Sequence, residues 1–238
     1  MTIDKHSQTL VQTIYPIPSV FGVDRSLQYR ALLKTGIVLL AFVAFVSVLA
    51  QISFKIPTTT VPITGQTFGV LVAGSVLGSR KGPLVMGLYM LVGMFLLPVF
   101  APSGTEASVH FIFPWIGTQA TVWSMGSGGY IVGFIVASYV VGKLSEKGWD
   151  RNSRIYLNFF LGSCVIYAFG LAWLAYMIAT NSGYYNGIEG LNVLDKTLRG
   201  GLYPFVGGDA IKLLLACMTL SASWSLVRKI KSSGKGSL

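Results

Sequence analysis

Residues 35–54 read TGIVLLAFVAFVSVLAQISF, a stretch without one charged side chain. As a helix rising about 1.5 Å per residue it reaches about 30 Å, the hydrocarbon thickness of a bilayer. Its apolar residues do not alternate with polar ones, so it does not read as a strand of a membrane barrel. It reads as a transmembrane helix. The 238-residue chain is 53% hydrophobic and only 11% charged, with a mean hydropathy of +0.65. Soluble domains carry about 25% charged residues, which excludes a soluble, disordered or coiled-coil protein.

Five further apolar runs follow: 63–78, 82–101, 128–142, 155–179 and 202–227. In hydrocarbon only helices and closed barrels satisfy their backbone, so the expected architecture is all-α, an integral-membrane bundle of six transmembrane helices. Arg80 and Lys81 form the tight turn expected between the second and third spans. Residues 1–30 have no apolar core of signal-peptide type and read as a cytoplasmic tail, 31–230 as the membrane domain, and 231–238 as a second cytoplasmic tail.

The net charge of +10 raises a nucleic-acid partner, but such proteins gather their cations on one solvated face with aromatics between them. Here the cations sit at the ends of apolar runs. Before the first span stand Lys5, Arg25, Arg30 and Lys34, and Arg80 and Lys81 join the second and third. Lys143, Lys147, Arg151 and Arg154 join the fourth and fifth, and Arg228, Lys229, Lys231 and Lys235 follow the sixth. The opposite side carries only Lys55, Lys196 and Arg199. The positive-inside rule then puts both termini in the cytoplasm of a multi-pass protein of the plasma or inner membrane. No nucleic acid is implied; membrane lipid is the surrounding partner.

Small residues recur at four-residue spacing in the second span (Gly65, Gly69, Ala73; Gly74, Gly78) and the fourth (Gly129, Gly133, Ala137). Such stripes let helices approach closely in lipid and read as packing within the chain. The first span repeats small residues every third position (Ala41, Ala44, Ser47, Ala50, Ser53), as internal packing or as a docking surface. Residues 102–127 carry Phe111, Phe113, Trp115 and Trp123 without Lys or Arg. They read either as an interfacial aromatic belt or as a lid over a ligand cavity. A second polar loop covers 180–201.

Asp209 is the only acid inside a predicted span, and Lys212 the only cation. A charge at a helix centre costs roughly 2.5–3.5 kcal/mol on insertion scales, so neither persists without a compensating partner. Three residues apart, they share a helix face, about 10 and 15 Å below the outer end of the last span. They either satisfy each other or converge on a ligand. A Lys ammonium suits a ligand carboxylate, and an Asp carboxylate suits N–H donors. Gly207 and Gly208 let backbone approach the ligand, with Gln66 and Gln119 as further polar candidates. Tyr89, Tyr130, Phe205 and Trp173 are candidate apolar walls.

Four segments carry a family resemblance. Val61-Pro62-Ile63-Thr64-Gly65-Gln66-Thr67-Phe68-Gly69-Val70, Leu97-Pro98-Val99-Phe100-Ala101, Gly128-Gly129-Tyr130-Ile131-Val132-Gly133-Phe134 and Pro204-Phe205-Val206-Gly207-Gly208-Asp209-Ala210-Ile211-Lys212 occur in that order. Together they resemble the BioY family, the biotin-binding S components of energy-coupling-factor (ECF) vitamin transporters. The departures are Thr60 where the family usually has Pro, Gly65 where it has Leu, and a longer 102–127 loop. The four-spaced alanine motif by which S components dock through their first helix is also absent. The resemblance implies a six-helix S component that captures biotin from outside, with a membrane coupling protein and two ATPase subunits as partners. It implies that Asp209 and Lys212, matching the family's Gly-Asp-x-x-Lys element, contact biotin; Gly129 and Gly208 complete the candidate site.

The alternatives are an S component or stand-alone importer for another small carboxylated vitamin, and an integral-membrane enzyme. An aspartyl intramembrane protease needs a second acid within a span. His6 and His110 are too far apart for a metal hydrolase, and Cys164 and Cys217 lie in apolar runs as packing residues. There is no phosphate-binding Gly-Lys-Ser/Thr loop, so ATP hydrolysis falls to another chain. No catalytic residue, metal or cofactor is expected.

Overall fold

Arg25–Gln51 forms one helix, here α2, because good helix formers precede the apolar run and nothing breaks it before Ile52. A short helix α1 (Leu10–Ile14) comes before it. In this computed structural model the described residues are 9–14, 25–56, 59, 61–102, 108–181 and 190–233. The tail residues 1–8 and 15–24, Thr60, Glu106, Tyr184, Tyr185, Glu189 and residues 234–238 lie outside them.

After α2 the chain is extended. Strand β1 (Ser53–Lys55) pairs antiparallel with β2 (Ile63–Thr64) and with β3 (Ser108–His110), in the order β2-β1-β3. Ser53 lies opposite both Thr64 and His110. This small sheet shortens the first two predicted spans at Ser53 and Ile63. Pro62 lacks the backbone donor a helix interior needs, and the exposed Phe54 finds a ring partner in Phe111, 6.3 Å away.

Helix α3 (Gln66–Phe95) is two arms joined at Gly78, whose φ of 83° and ψ of −179° are not helical. The arms fold back on each other. A Cβ on Gly82 would lie 3.1 Å from the Gly74 Cα, and Gln66 and Tyr89 hydrogen-bond at 2.6 Å, although a straight helix would separate them by about 34 Å. The turn expected at Arg80 and Lys81 is therefore made at Gly78, because φ > 0 suits glycine.

Helices α4 (Gly128–Glu146) and α5 (Ile155–Thr180) follow, joined through a 3-10 turn at Trp149–Arg151. The amphipathic α6 (Val193–Gly201), capped by the Asn192 side chain on the Asp195 N–H, leads into α7 (Tyr203–Ser233). Among the described residues, four segments are long and apolar enough to cross a bilayer: Tyr29–Gln51, Gly128–Glu146, Ile155–Thr180 and Val193–Ser233.

The four-spaced glycines pack within the chain, as expected. A Cβ on Gly69 would meet Leu49 of α2 at 2.7 Å, and one on Gly133 would meet the Ile166 backbone of α5 at 3.2 Å. The three-spaced stripe of α2 splits instead. Ala41 and Ala44 are exposed, while Ser47, Ala50 and Ser53 are buried, because steps of three residues advance about 300° around a helix and walk off any single face.

At the end holding the Gly78 turn, Glu146 accepts hydrogen bonds from the Ser79 N–H (2.9 Å) and hydroxyl (2.8 Å). There too, Trp224 of α7 donates to Asp150 at 2.7 Å. Asp209 stands near the opposite end of α7.

Candidate functional site

The last helix places Phe205, Asp209 and Lys212 along one side of a cavity, since residues three and four apart share a helix face. Val61 and Pro62 approach from just before β2, Thr64 from β2, Gln66 and Thr67 from the start of α3, and Phe100 and Ala101 from beyond its end. Ser127, Tyr130, Ile131 and Phe134 come from the start of α4, and Ile166 and Tyr167 from α5. The void among them is about 50 Å³, room for a few waters at about 10–15 Å³ each.

Its polar centre is the Asp209 carboxylate. Lys212 Nζ donates to Oδ1 at 2.7 Å, and the Tyr167 hydroxyl donates to Oδ2 at 2.5 Å. The ion pair is largely shielded, with side-chain exposures of 15% for Lys212 and 12% for Asp209. A charge-assisted bond of this kind is roughly twice as strong as a neutral one, and it offsets the cost of taking both charges out of water. A second polar group is Gln66. Its Oε1 accepts from Thr64 at 3.0 Å, and its Nε2 donates to Tyr89, whose hydroxyl donates in turn to the Val99 carbonyl at 3.2 Å. This chain fixes which way the amide points.

The walls are held from behind. Phe100 packs edge-on against fully buried Tyr89, 5.4 Å between centroids, and its backbone pairs with Thr118. Tyr130 donates to the Gly201 carbonyl at 2.8 Å and meets Tyr167 edge-to-face.

Five of the residues expected at the site line the cavity: Gln66, Tyr130, Phe205, Asp209 and Lys212. Tyr89 lies one hydrogen bond behind Gln66 and supports it without lining the void. Gly208 is outside the lining, its nearest neighbour Ile63 at 3.9 Å from an added Cβ. Gly129 and Trp173 are elsewhere, in an apolar groove between α4 and α5 with Trp123, Phe169 and Tyr176. A Cβ on Gly129 would fall 2.2 Å from the Trp173 Cβ, so this glycine serves helix contact. Gln119 is not in the lining either.

The described part of the 102–127 loop does not cover the void. Phe111, Phe113, Trp115 and Trp123 are 40–91% exposed, and only Ser127 at its end joins the lining. These aromatics fit an interfacial belt. Tyr167 was missed by sequence reasoning. Its signal was a phenol in the middle of an apolar span, where a hydroxyl needs a partner.

All four sequence segments singled out above contribute to this one cavity, and a model of the BioY family matches residues 24–229. The chain belongs to the BioY family. It is 33% identical over 193 residues to the biotin transporter BioY of Thermotoga maritima, covering 79% of this chain and 92% of that one. It is 36% identical over 176 residues to the probable biotin transporter BioY of Pyrococcus horikoshii, covering 74% and 86%. A crystal structure of the S-component for biotin from an ECF-type ABC transporter superposes with a TM-score of 0.62 at 19% identity, over 84% of this chain and 94% of that one. The BioY membership and the apolar helices make this an integral membrane protein with the S-component fold.

Proposed function

We propose that this BioY protein is the substrate-capture subunit of an ECF-type importer and binds biotin. The single observation that carries the reading is the convergence of four separate segments on a cavity centred on Asp209 and Lys212. Relatives named biotin transporters, at 33% and 36% identity, support the substrate. Lys212 takes the valerate carboxylate, and Asp209 accepts the ureido N–H donors. Gln66, held by Thr64 and Tyr89, supplies a further polar contact, and Tyr130, Phe205 and Phe100 enclose the apolar part of the ligand.

The valerate carboxylate competes with Asp209 for the Lys212 ammonium, so binding opens the Asp209–Lys212 pair, 2.7 Å apart here. The protein acts as carrier, not enzyme: ATP is hydrolysed by two partner subunits, and a membrane coupling protein links them to this chain. We read the two arms of α3 as two crossings, giving six in all, with both termini in the cytoplasm and the cavity toward the outside of the plasma or inner membrane. The boundaries 1–30, 31–230 and 231–238 divide tails from membrane domain. Transport requires the outward and inward orientations to hold biotin with different affinity, since only a differential affinity lets ATP drive release.

The test is a thermal-shift series on the purified protein with biotin, desthiobiotin, lipoate and riboflavin. Biotin raises the melting temperature most. Stabilisation by lipoate or riboflavin alone would replace the substrate with another vitamin and leave the fold intact.

A further inference from the structure

The Asp209 carboxylate has two partners on two different helices. Its Oδ1 is held by Lys212, three residues along α7, and its Oδ2 by the Tyr167 hydroxyl, which belongs to α5. Two other polar side chains of the lining are otherwise engaged: Tyr130 donates to Gly201, and Gln66 is tied to Thr64 and Tyr89. A ligand carboxylate drawn to Lys212 competes with Asp209 for the same ammonium. Without Tyr167 that exchange would leave a shielded carboxylate with neither of its partners, a costly outcome.

We propose that Tyr167 is a positioning residue for ligand binding, its hydroxyl anchoring Oδ2 of Asp209 while Lys212 leaves Oδ1 for the ligand's carboxylate. The freed Oδ1 then faces the ligand's N–H donors, and the carboxylate keeps its aim because its anchor is on another helix. This rests on the biotin reading above. It separates Tyr167 from a plain clamp between α5 and α7, which would matter equally for every ligand.

The experiment is calorimetric titration of the full-length protein with biotin and with biotinol, in which CH₂OH replaces the carboxylate. Biotinol leaves the Asp209–Lys212 pair closed. Tyr167→Phe keeps the ring and weakens biotin binding roughly tenfold or more, while biotinol binding changes less than about threefold. In an Asp209→Asn background, adding Tyr167→Phe changes biotin affinity less than about twofold, because the residue it acts through is already altered. The ratio of the two affinities on one variant does not depend on how much of it folds. Equal losses for both ligands, or a full loss that persists beside Asp209→Asn, would overturn the role of Tyr167. If the unmutated protein binds neither ligand, the biotin reading itself falls.

Discussion

Asp150 and Asp209 stand near opposite ends of α7 and are treated differently by their surroundings. Asp209 has an ammonium and a phenol at hydrogen-bond distance. Asp150 accepts one bond from Trp224, while its other oxygen is buried without a hydrogen bond, 3.6 Å from Arg151 Nε. Burial pushes the Asp150 carboxyl up to about 6, against the pull of Trp224 and Arg151. Between about 4 and 6 the folded protein therefore holds more protons at this site than the unfolded chain, so stability falls as pH rises through that window. Asp150→Asn removes this slope. Its stability relative to the unmutated protein should rise between pH 4 and 7 by up to about 3 kcal/mol, read from melting temperatures at each pH. A difference that stays flat across that range would contradict it. The sequence advertised Asp209 and Lys212 because any charge stands out in an apolar run. Asp150 stood among polar loop residues, where an acid is unremarkable, and it is buried because α4, α5 and Trp224 of α7 close around its turn.

The helices were legible as elements because their apolar runs are long and unbroken by charge, and the spans expected at 128–142 and 155–179 appear within four residues of their expected ends. The breaks were less legible. The β1–β3 sheet is built from two- and three-residue strands that periodicity cannot resolve, and the hairpin of α3 turns at Gly78 rather than at the basic pair beyond it. That turn depends on one residue. Gly78 has a backbone conformation L side chains rarely adopt, and an added Cβ would sit 2.8 Å from both Glu146 Oε1 and Thr9 Cγ2. Gly78→Ala should destabilise the protein by about 2 kcal/mol, seen as a lower melting temperature in detergent. An unchanged melting temperature would mean the arms can turn elsewhere.

At the scale of the whole molecule, the Gly78 turn and the α4–α5 connection lie at one end and the cavity near the other. The Gly78 turn, the α4–α5 connection and the far part of α7 meet through Glu146 and Asp150, while Asp209 lies two turns into α7. That cavity brings together residues from 61 to 212, a convergence no local pattern contains. It explains why Tyr167 was missed, and Gly129 and Trp173 line the α4–α5 groove rather than this cavity. Two opposite charges shielded in a membrane protein carry a cost, and the proposed grip on an organic anion is the role that answers it. The most direct measurement is biotin titration of the unmutated protein, Asp209→Asn and Lys212→Ala. The account predicts tight binding to the first and at least about tenfold weaker binding to each variant. Affinities unchanged in both variants would contradict it.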